Sequence, residues 1–435
     1  MSWREKYKEK IITAKQTARC INSDDVIVTS MVTGIPYAIL DILYDEIDRL
    51  ENVRIDMGFG VRAMRLFLPA SKGKVNVRSL FLGPIEREFI KRGSDIEIQL
   101  LHLSNTTEDR LITHKANVVM MTGSAPDEDG YISLGLCPID CSLIYRAQKV
   151  IIQVNENVPY IRGEGTMVHM DNVTYLVDLT EELYTVAAAP PSDIDSKIAS
   201  HIVQKVPNGA CIQLGIGGIA SAVGGYLTVK KDLGIHTEMF VESMVDLLEC
   251  GAVNNSKKTL CKGLSVIGFA LGSKRMYDFL NNNTLVETRP FDWVNNPYII
   301  AQNDNVVSIN SALEIDLTGQ VCAESIGLRQ YSGTGGQVDY VRGATLSKGG
   351  MSFIAIPSVR TDKEGRMHSK INLTLPLGAA VTTLRSDVQY IVTEYGIADL
   401  RFETIENRVK RLITIAHPDF RDQLMFDAKK AGLIF

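Results

Sequence analysis

Cysteine, histidine and tryptophan are scarce in this chain: its 435 residues include 7, 7 and 2 of them. The cysteines stand at 20, 137, 141, 211, 250, 261 and 322, and only Cys137 and Cys141 are close. The Pro138-Ile139-Asp140 between them gives neither a zinc nor a redox spacing. An odd, scattered set excludes a disulfide framework and reads as reduced small hydrophobes. The histidines, at 102, 114, 169, 201, 236, 368 and 417, never pair at i, i+3 or i, i+4. No His-Glu-x-x-His or clustered-carboxylate pattern occurs, so no metal site is expected. Also missing are a G-x-S-x-G nucleophile elbow and a G-x-x-x-x-G-K-[ST] phosphate loop. No stretch approaches the ~20 apolar residues that span a bilayer. The opening Met1-Ser2-Trp3-Arg4-Glu5-Lys6 lacks the apolar core of a signal peptide. A cytoplasmic protein with no membrane partner is the expectation. Lys and Arg number 46 against 51 Asp and Glu, a net charge of -5. No global field would draw in nucleic acid, and no nucleic-acid partner is expected.

What is present is an ordinary globular balance, 45% apolar and 22% charged, in a chain long enough for two cores of roughly 200 residues each. The segment from Met1 to about Ala18 reads as an amphipathic helix rich in Lys and Glu. Val26-Ile27-Val28 follows a polar turn and is a β-branched strand. Gly34-Ile35-Pro36-Tyr37-Ala38 then opens a helix through Leu43, and strand, glycine-bearing turn and helix make half of a βαβ unit. Further strands are expected at Val53–Met57, Asn117–Thr122 and Lys149–Val154. The arrangement recurs: Cys211-Ile212-Gln213-Leu214 is a strand, and Gly218-Ile219-Ala220-Ser221-Ala222 opens a helix. Gly-Ile-Pro-x-Ala against Gly-Ile-Ala-x-Ala, each after a short apolar strand, suggests an internal duplication. Small residues and two prolines make Ala187–Ser192 a linker. It divides an N-terminal domain, 1–187, from a C-terminal domain, 192–435. Val307–Ile309, Phe353–Ile356 and Tyr390–Thr393 read as buried parallel strands. Glu403 to Phe435 is mostly helical, interrupted at His417-Pro418. The fold class is α/β, two similar open parallel-sheet domains that bind ligands at the carboxyl ends of their strands.

Three glycine clusters and a few polar residues are candidates for chemistry. Gly215-Ile216-Gly217-Gly218 follows a strand and precedes a helix, either as a phosphate-binding turn or as a close helix–strand contact. Ser332-Gly333-Thr334-Gly335-Gly336-Gln337 and Lys348-Gly349-Gly350 let backbone N–H groups face a ligand, as an anion site or oxyanion hole requires. Glu238, in Gly234-Ile235-His236-Thr237-Glu238-Met239-Phe240, follows a strand. Read alone, it is equally a solvated surface acid or a helix-start acid. Glu394, in Thr393-Glu394-Tyr395-Gly396, carries the same ambiguity, and Asn310-Ser311 is a polar pair at a strand end.

Matching stretches run from residue 21 to about residue 424, and six blocks within them, in order, tie these together. They are Pro126-Asp127-Glu128-Asp129-Gly130-Tyr131-Ile132-Ser133-Leu134-Gly135; Lys231-Asp232-Leu233-Gly234-Ile235-His236-Thr237-Glu238-Met239; Ser308-Ile309-Asn310-Ser311-Ala312-Leu313-Glu314-Ile315-Asp316-Leu317; Gly335-Gly336-Gln337-Val338-Asp339-Tyr340-Val341-Arg342-Gly343-Ala344; Val392-Thr393-Glu394-Tyr395-Gly396-Ile397-Ala398; and Ile415-Ala416-His417-Pro418-Asp419-Phe420-Arg421. Together they resemble the class I CoA-transferases of the acetyl-CoA hydrolase/transferase family, which include 4-hydroxybutyrate, butyryl-CoA:acetate and itaconate CoA-transferases. The resemblance implies transfer of CoA from an acyl-CoA to a short-chain carboxylate, with coenzyme A as co-substrate, no permanently bound cofactor, and a homo-oligomeric enzyme. It implies that Glu238 is the nucleophile, and that Gly335 and Gly336 put a backbone N–H on the thioester oxygen. Gly215, Gly217 and Gln337 would join them around the oxyanion and CoA, with Asn310 and Glu394 as polar groups one layer out. The sequence departs from the family at Ala220, where proline is common, at Glu242-Ser243 in place of Asp-Gly, and at Arg401-Phe402 in place of Gly-Lys. These bear on substrate choice and CoA contacts more than on reaction type.

In the N-terminal half, Met31 reads either as a wall of the acyl pocket or as ordinary core. Val61, at the end of the next strand, is a second candidate wall without charge, and Arg62 beside it faces either a dicarboxylic acid or a structural acid. Two other functions use the same residues: an acyl-CoA hydrolase that admits water to the intermediate, and an inactive CoA-binding protein.

Overall fold

The β-branched run Val26–Val28 forms the first strand, β1, in a computed structural model that describes residues 2–434. Contacts divide the chain into two compact units. The first takes the chain up to Val186 together with Val266–Val294; the second takes Ala187–Ser265 and the chain from Asn295 onward.

The sheet of the first unit adds β2 (Val53–Met57), β3 (Val75–Ser79), β4 (Ile96–Ile98), β5 (Val118–Gly123), β6 (Lys149–Val154) and β7 (Tyr175–Asp178). Their order is β4-β3-β2-β1-β5-β6-β7, with every pairing parallel. Both faces are buried, as a parallel sheet requires. Met120 and Ile151 point into one core with Ile39, Leu40 and Leu43 of helix α1 (Tyr37–Leu43). Their neighbours Val119, Met121 and Ile152 point into the other, with Leu143 and Ile144. Alternation across the pleat explains the continuous apolar runs in the sequence.

The expected N-terminal helix is interrupted. Met1 lies outside the described residues; beyond it come a short helix, Trp3–Lys6, a 3-10 turn, Lys8–Lys10, and a new helix, Ala14–Arg19. Ile11 is drawn out to bridge Leu176 in parallel, and Thr13 restarts the helix through a capping box with Gln16. An apolar pair seeking the sheet overrides the helical period.

In the second unit β8 (Cys211–Leu214) pairs in parallel with β9 (Gly234–Phe240) on one side and β10 (Val306–Ser311) on the other. Then follow β11 (Met351–Ala355), β12 (Tyr390–Thr393) and, antiparallel at the edge, β13 (Gly396–Asp399). The edge hairpin departs from the all-parallel expectation. In both units the first strand sits between the second strand and a later one, the order a duplicated half would have. After β1, Pro36 delays α1 to Tyr37; after β8, helix α2 (Gly218–Tyr226) begins at once. The tail forms Ile405–Ile415 and Pro418–Lys430, broken where His417 caps the second helix. No helix among the described residues is long and apolar enough to cross a membrane.

Candidate active site

Strand β9 carries Glu238 near its end, where the buried run Gly234–Thr237 gives way to partly exposed positions. The carboxyl lies deep among protein atoms, and Phe240 at the strand's end is fully buried. Asn295, itself fully buried, donates from Nδ2 to Glu238 Oε2 at 2.8 Å. Its Oδ1 has no hydrogen-bond partner among the described residues. Burial raises the Glu238 pKa to about 7; the Asn295 hydrogen bond works against that shift and nearby Asp339 adds to it. A neutral donor steadies one oxygen without fixing the charge, whereas a cation would pull the pKa down.

The Gly333–Gly336 loop closes on this carboxyl. Gly335 has φ +61°, a left-handed conformation that glycine adopts without penalty. Gly336 precedes helix α3 (Gln337–Leu346), and a Cβ there would overlap Glu238 Oε2 and Asn295 Nδ2. A hydrogen in place of a side chain lets loop and carboxylate meet. Gln337 faces elsewhere: its Nε2 donates to the Ser311 carbonyl at 2.7 Å, and Thr383 Oγ1 donates to its Oε1 at 3.0 Å. It ties the loop to the end of β10.

Other expected residues lie apart from the carboxyl. The Gly215–Gly218 turn follows β8, with Ile216 exposed, Gly217 at φ +98° and nothing within 4 Å of where a Cβ on Gly217 would stand. It is an open turn heading a helix. Asn310 Nδ2 donates to Gln213 Oε1 at 3.3 Å, joining β10 to β8. Glu394 accepts from Ser358 through its backbone N–H at 2.9 Å and its hydroxyl at 2.6 Å. The structure brings Gly336 and Glu238 together and adds Asn295, which the sequence reading passed over. Asn295-Asn296-Pro297 carries turn chemistry, and Asn296 does cap the following helix. Nothing local marks Asn295 as reaching back 57 residues to Glu238.

In the first unit Met31 is 6% exposed and packs on Gly58, where a Cβ would collide with it. It lines a narrow cavity with Ser30, Gly58, Arg110, Phe291 and Asp292. Val61 is not part of that wall; its side chain packs on the main core of the unit and its N–H donates to the Tyr37 hydroxyl at 2.9 Å. Arg62 pairs with Asp41 at 3.6 Å and Glu181 at 3.3 Å, so it faces structural acids. Among the described residues no three His, Cys, Asp or Glu side chains converge to hold a metal ion.

Comparison with known proteins matches residues 1–188 to the acetyl-CoA hydrolase/transferase N-terminal domain and residues 272–428 to the C-terminal domain of the same family. The 4-hydroxybutyrate coenzyme A transferase of Clostridium kluyveri is 39% identical, with 99% of this chain and 100% of that protein covered. The butyryl-CoA:acetate CoA-transferase of Anaerostipes caccae is 38% identical, over 100% of this chain and 99% of that protein. The crystal structure of RipA from Yersinia pestis superposes with a TM-score of 0.92 at 35% identity, covering 100% of both chains. The chain belongs to the acetyl-CoA hydrolase/transferase family.

Proposed function

We propose that the chain is a CoA-transferase that moves coenzyme A from an acyl-CoA to a short-chain carboxylic acid through a covalent glutamyl-CoA on Glu238. The observation that carries this is the Glu238 carboxyl, steadied at Oε2 by Asn295, with the backbone of Gly336 against it. With one oxygen held, the other is free to attack. A pKa near about 7 keeps a usable carboxylate fraction at neutral pH and makes that carboxylate more basic than an ordinary one.

Glu238 attacks the thioester carbonyl, forming an acyl-glutamyl anhydride and expelling CoA thiolate. The thiolate attacks the glutamyl carbonyl, giving the glutamyl-CoA thioester and releasing the first acid as its carboxylate. The acceptor carboxylate attacks that thioester, giving a new anhydride and thiolate again. Attack of the thiolate on the new acyl carbonyl releases the product acyl-CoA and restores Glu238. Each step passes through an oxyanion that, in this reading, the Gly335 and Gly336 amides at the head of α3 receive, an effect of about 3 kcal/mol per donor in comparable sites. Gly215 and Gly217 contribute open N–H groups towards CoA, and Gln337, Asn310 and Glu394 act by holding the strand ends. Coenzyme A arrives and leaves as co-substrate, with no permanently bound cofactor, and the enzyme works in the cytoplasm as a homo-oligomer.

Borohydride treatment after incubation with an acyl-CoA tests the reading. Reduction of a thioester at residue 238, with loss of activity and parallel initial-rate plots, is expected. Modification at another residue, or intersecting plots, overturns it. Thiol release that proceeds without an acceptor acid would identify a hydrolase instead.

A further inference from the structure

Two residues before Glu238, on the same face of β9, His236 is 2% exposed and meets Asn303, which is fully buried. Asn303 Nδ2 lies 3.4 Å from His236 Nδ1. The amide is fixed in that orientation, because Asn303 Oδ1 accepts the Leu260 N–H at 3.0 Å. Nδ1 therefore accepts, which makes the ring neutral and leaves its proton on Nε2. The same asparagine reaches the other two parts of the site. Its carbonyl accepts the Ser347 hydroxyl at 2.6 Å, and Ser347 closes α3, the helix that Gly336 precedes. Its N–H donates to the Ile300 carbonyl at 3.1 Å, at the end of the short helix Pro297–Ile300 that follows Asn295. The His236 ring also meets the Tyr340 ring of α3 edge-on, with centroids 6.4 Å apart. Burial first, then the charge of Glu238, raises the Tyr340 phenol pKa, so that ring lies within the field of the carboxylate. Glu238, Asn295 and Gly336 thus belong to three elements joined through one buried pair, His236 and Asn303.

We infer that His236 is a positioning residue for the transfer reaction: held by Asn303 and set against Tyr340, its neutral ring fixes the roll of β9 that brings the Glu238 carboxyl to Asn295 Nδ2 and the Gly336 backbone. This rests on the reading of Glu238 as the nucleophile. The register of β9 with β8 ends at Ile235, opposite Ile212, one residue short of His236. On that side the stretch that carries Glu238 depends on side-chain contacts. The tolerance is small, because Glu238 Oε2 accepts from Asn295 at 2.8 Å while Gly336 stands so close that a Cβ there would strike both. A slight roll of the strand lengthens the hydrogen bond or drives the carboxyl into the loop. A neutral ring brings no charge to Glu238, so His236 acts on its place.

Steady-state transfer, measured against acyl-CoA concentration and pH, tests this in His236→Phe and His236→Asn. Phenylalanine keeps a ring against Tyr340 and removes the acceptor for Asn303; asparagine loses the ring and puts an oxygen close to where Nδ1 stood. In His236→Phe kcat should fall about 100-fold, the cost of a displacement of about 1 Å, while KM for acyl-CoA stays within about threefold. The pH midpoint near about 7 should move up, because a loosened Asn295 hydrogen bond favours the carboxylate less. His236→Asn should recover about tenfold of the lost rate, the scale of one restored hydrogen bond, and bring the midpoint back, even where it melts at the lower temperature. Asn303→Ala, which leaves the ring and removes its donor, should repeat the pattern of His236→Phe and serves if that variant fails to fold. Rates that follow melting temperature across the three variants, with the midpoint unmoved, overturn the inference and make His236 a core residue. Rates within about threefold of wild type in all three overturn it as well. Borohydride trapping separates the two levels. A wild type that traps at Glu238, beside variants that keep its rate, sinks only the role of His236, whereas no trapping in wild type sinks the transferase reading.

Discussion

Asp56 near the end of β2 and Glu238 near the end of β9 hold comparable places, for each strand is the second of its unit and pairs in parallel with the first. Their surroundings differ. Asp56 is 2% exposed and meets a cation, Arg54, at 3.1 Å. Glu238 has no cation within ion-pair distance among the described residues; it has the neutral amide of Asn295 and the like charge of Asp339. The second arrangement leaves a carboxyl poised to gain or lose a proton near neutrality. The turns after the first strands diverge likewise. Gly34 is packed against Ser30 and the Cys137 carbonyl, while Gly217 stands in open space. One frame thus yields a strand-end acid set against a cation in the first unit and one set against a neutral amide in the second.

Removing each acid should separate the two roles most sharply. Glu238→Ala is expected to lower transfer at least about 1,000-fold, read as thiol exchange between an acyl-CoA and an acceptor, with no fall in melting temperature. Asp56→Asn should do the reverse, because it strands Arg54: about 3–5 kcal/mol less stability by denaturant titration, with the Glu238 thioester still trappable. Glu238→Asp, shifted back by one methylene, should lose about 100-fold in transfer, and hydrolysis should rise relative to it. Equal loss of stability in both acid deletions would erase the contrast.

The glycines give the next largest effect. Gly336→Ala drives a Cβ into Glu238 Oε2 and Asn295 Nδ2, and a displacement of about 1 Å costs about 100-fold in rate. Gly217→Ala meets no atom, but its φ of +98° makes any side chain strained by about 1–3 kcal/mol. It should show in melting temperature with kcat changed only a few-fold. A larger rate loss at 217 than at 336 would move the oxyanion site to the β8 turn.

Much of this frame was legible in advance because buried parallel strands are written as continuous β-branched and apolar runs. Val26–Val28, Lys149–Val154 and Cys211–Leu214 need no partner to be read. The strand-end acid and the glycine pair at 335 and 336 could be picked out as candidates, since each lies in one short block, but only the family resemblance tied them together. Asn295 was not, because its hydrogen bond joins segments 57 residues apart and its neighbours spell a turn. Nor was the bridge from Ile11 to Leu176, which breaks a helix that local spacing favours. The contrast between Met31 and Val61 was hidden for a similar reason. Both are apolar residues at strand ends, and only the Tyr37 hydroxyl, which holds the Val61 N–H, turns one away from the cavity.

The pH dependence follows from the poised acid. Activity in kcat/KM should rise with pH around a midpoint near about 7, as the Glu238 carboxylate forms. Asn295→Leu removes the hydrogen bond that favours the charged form, so the midpoint should move up; Asp339→Asn removes a like charge, so it should move down. For stability the sign is opposite. The folded pKa lies above the unfolded one, so the contribution of this group is full below the ordinary carboxyl range. It is lost as pH rises from there through about 7. Glu238→Gln should therefore match wild type in melting temperature at low pH and exceed it above neutrality. A midpoint unmoved in both neighbour variants would assign the titration to another group.

The smallest effects divide the two apolar residues of the first unit. Met31 lines the cavity with Arg110 and Asp292, so shortening it should alter which acyl groups are accepted; one methylene is worth about 1–3 kcal/mol in discrimination. Met31→Gly is expected to raise kcat/KM for longer or branched acyl-CoA substrates relative to short ones, leaving affinity for CoA itself little changed. Val61 packs on the main core and is held by its backbone. Val61→Ala should therefore cost about 1 kcal/mol of stability from lost apolar burial, seen as a modest drop in melting temperature, with the acyl ranking unchanged. Because alanine keeps the N–H that Tyr37 accepts, the strand end stays where it is, and any change in ranking would have to come from the side chain. Such a change would show that Val61 reaches the acyl group, and would make the Met31 cavity too narrow a description of the specificity site.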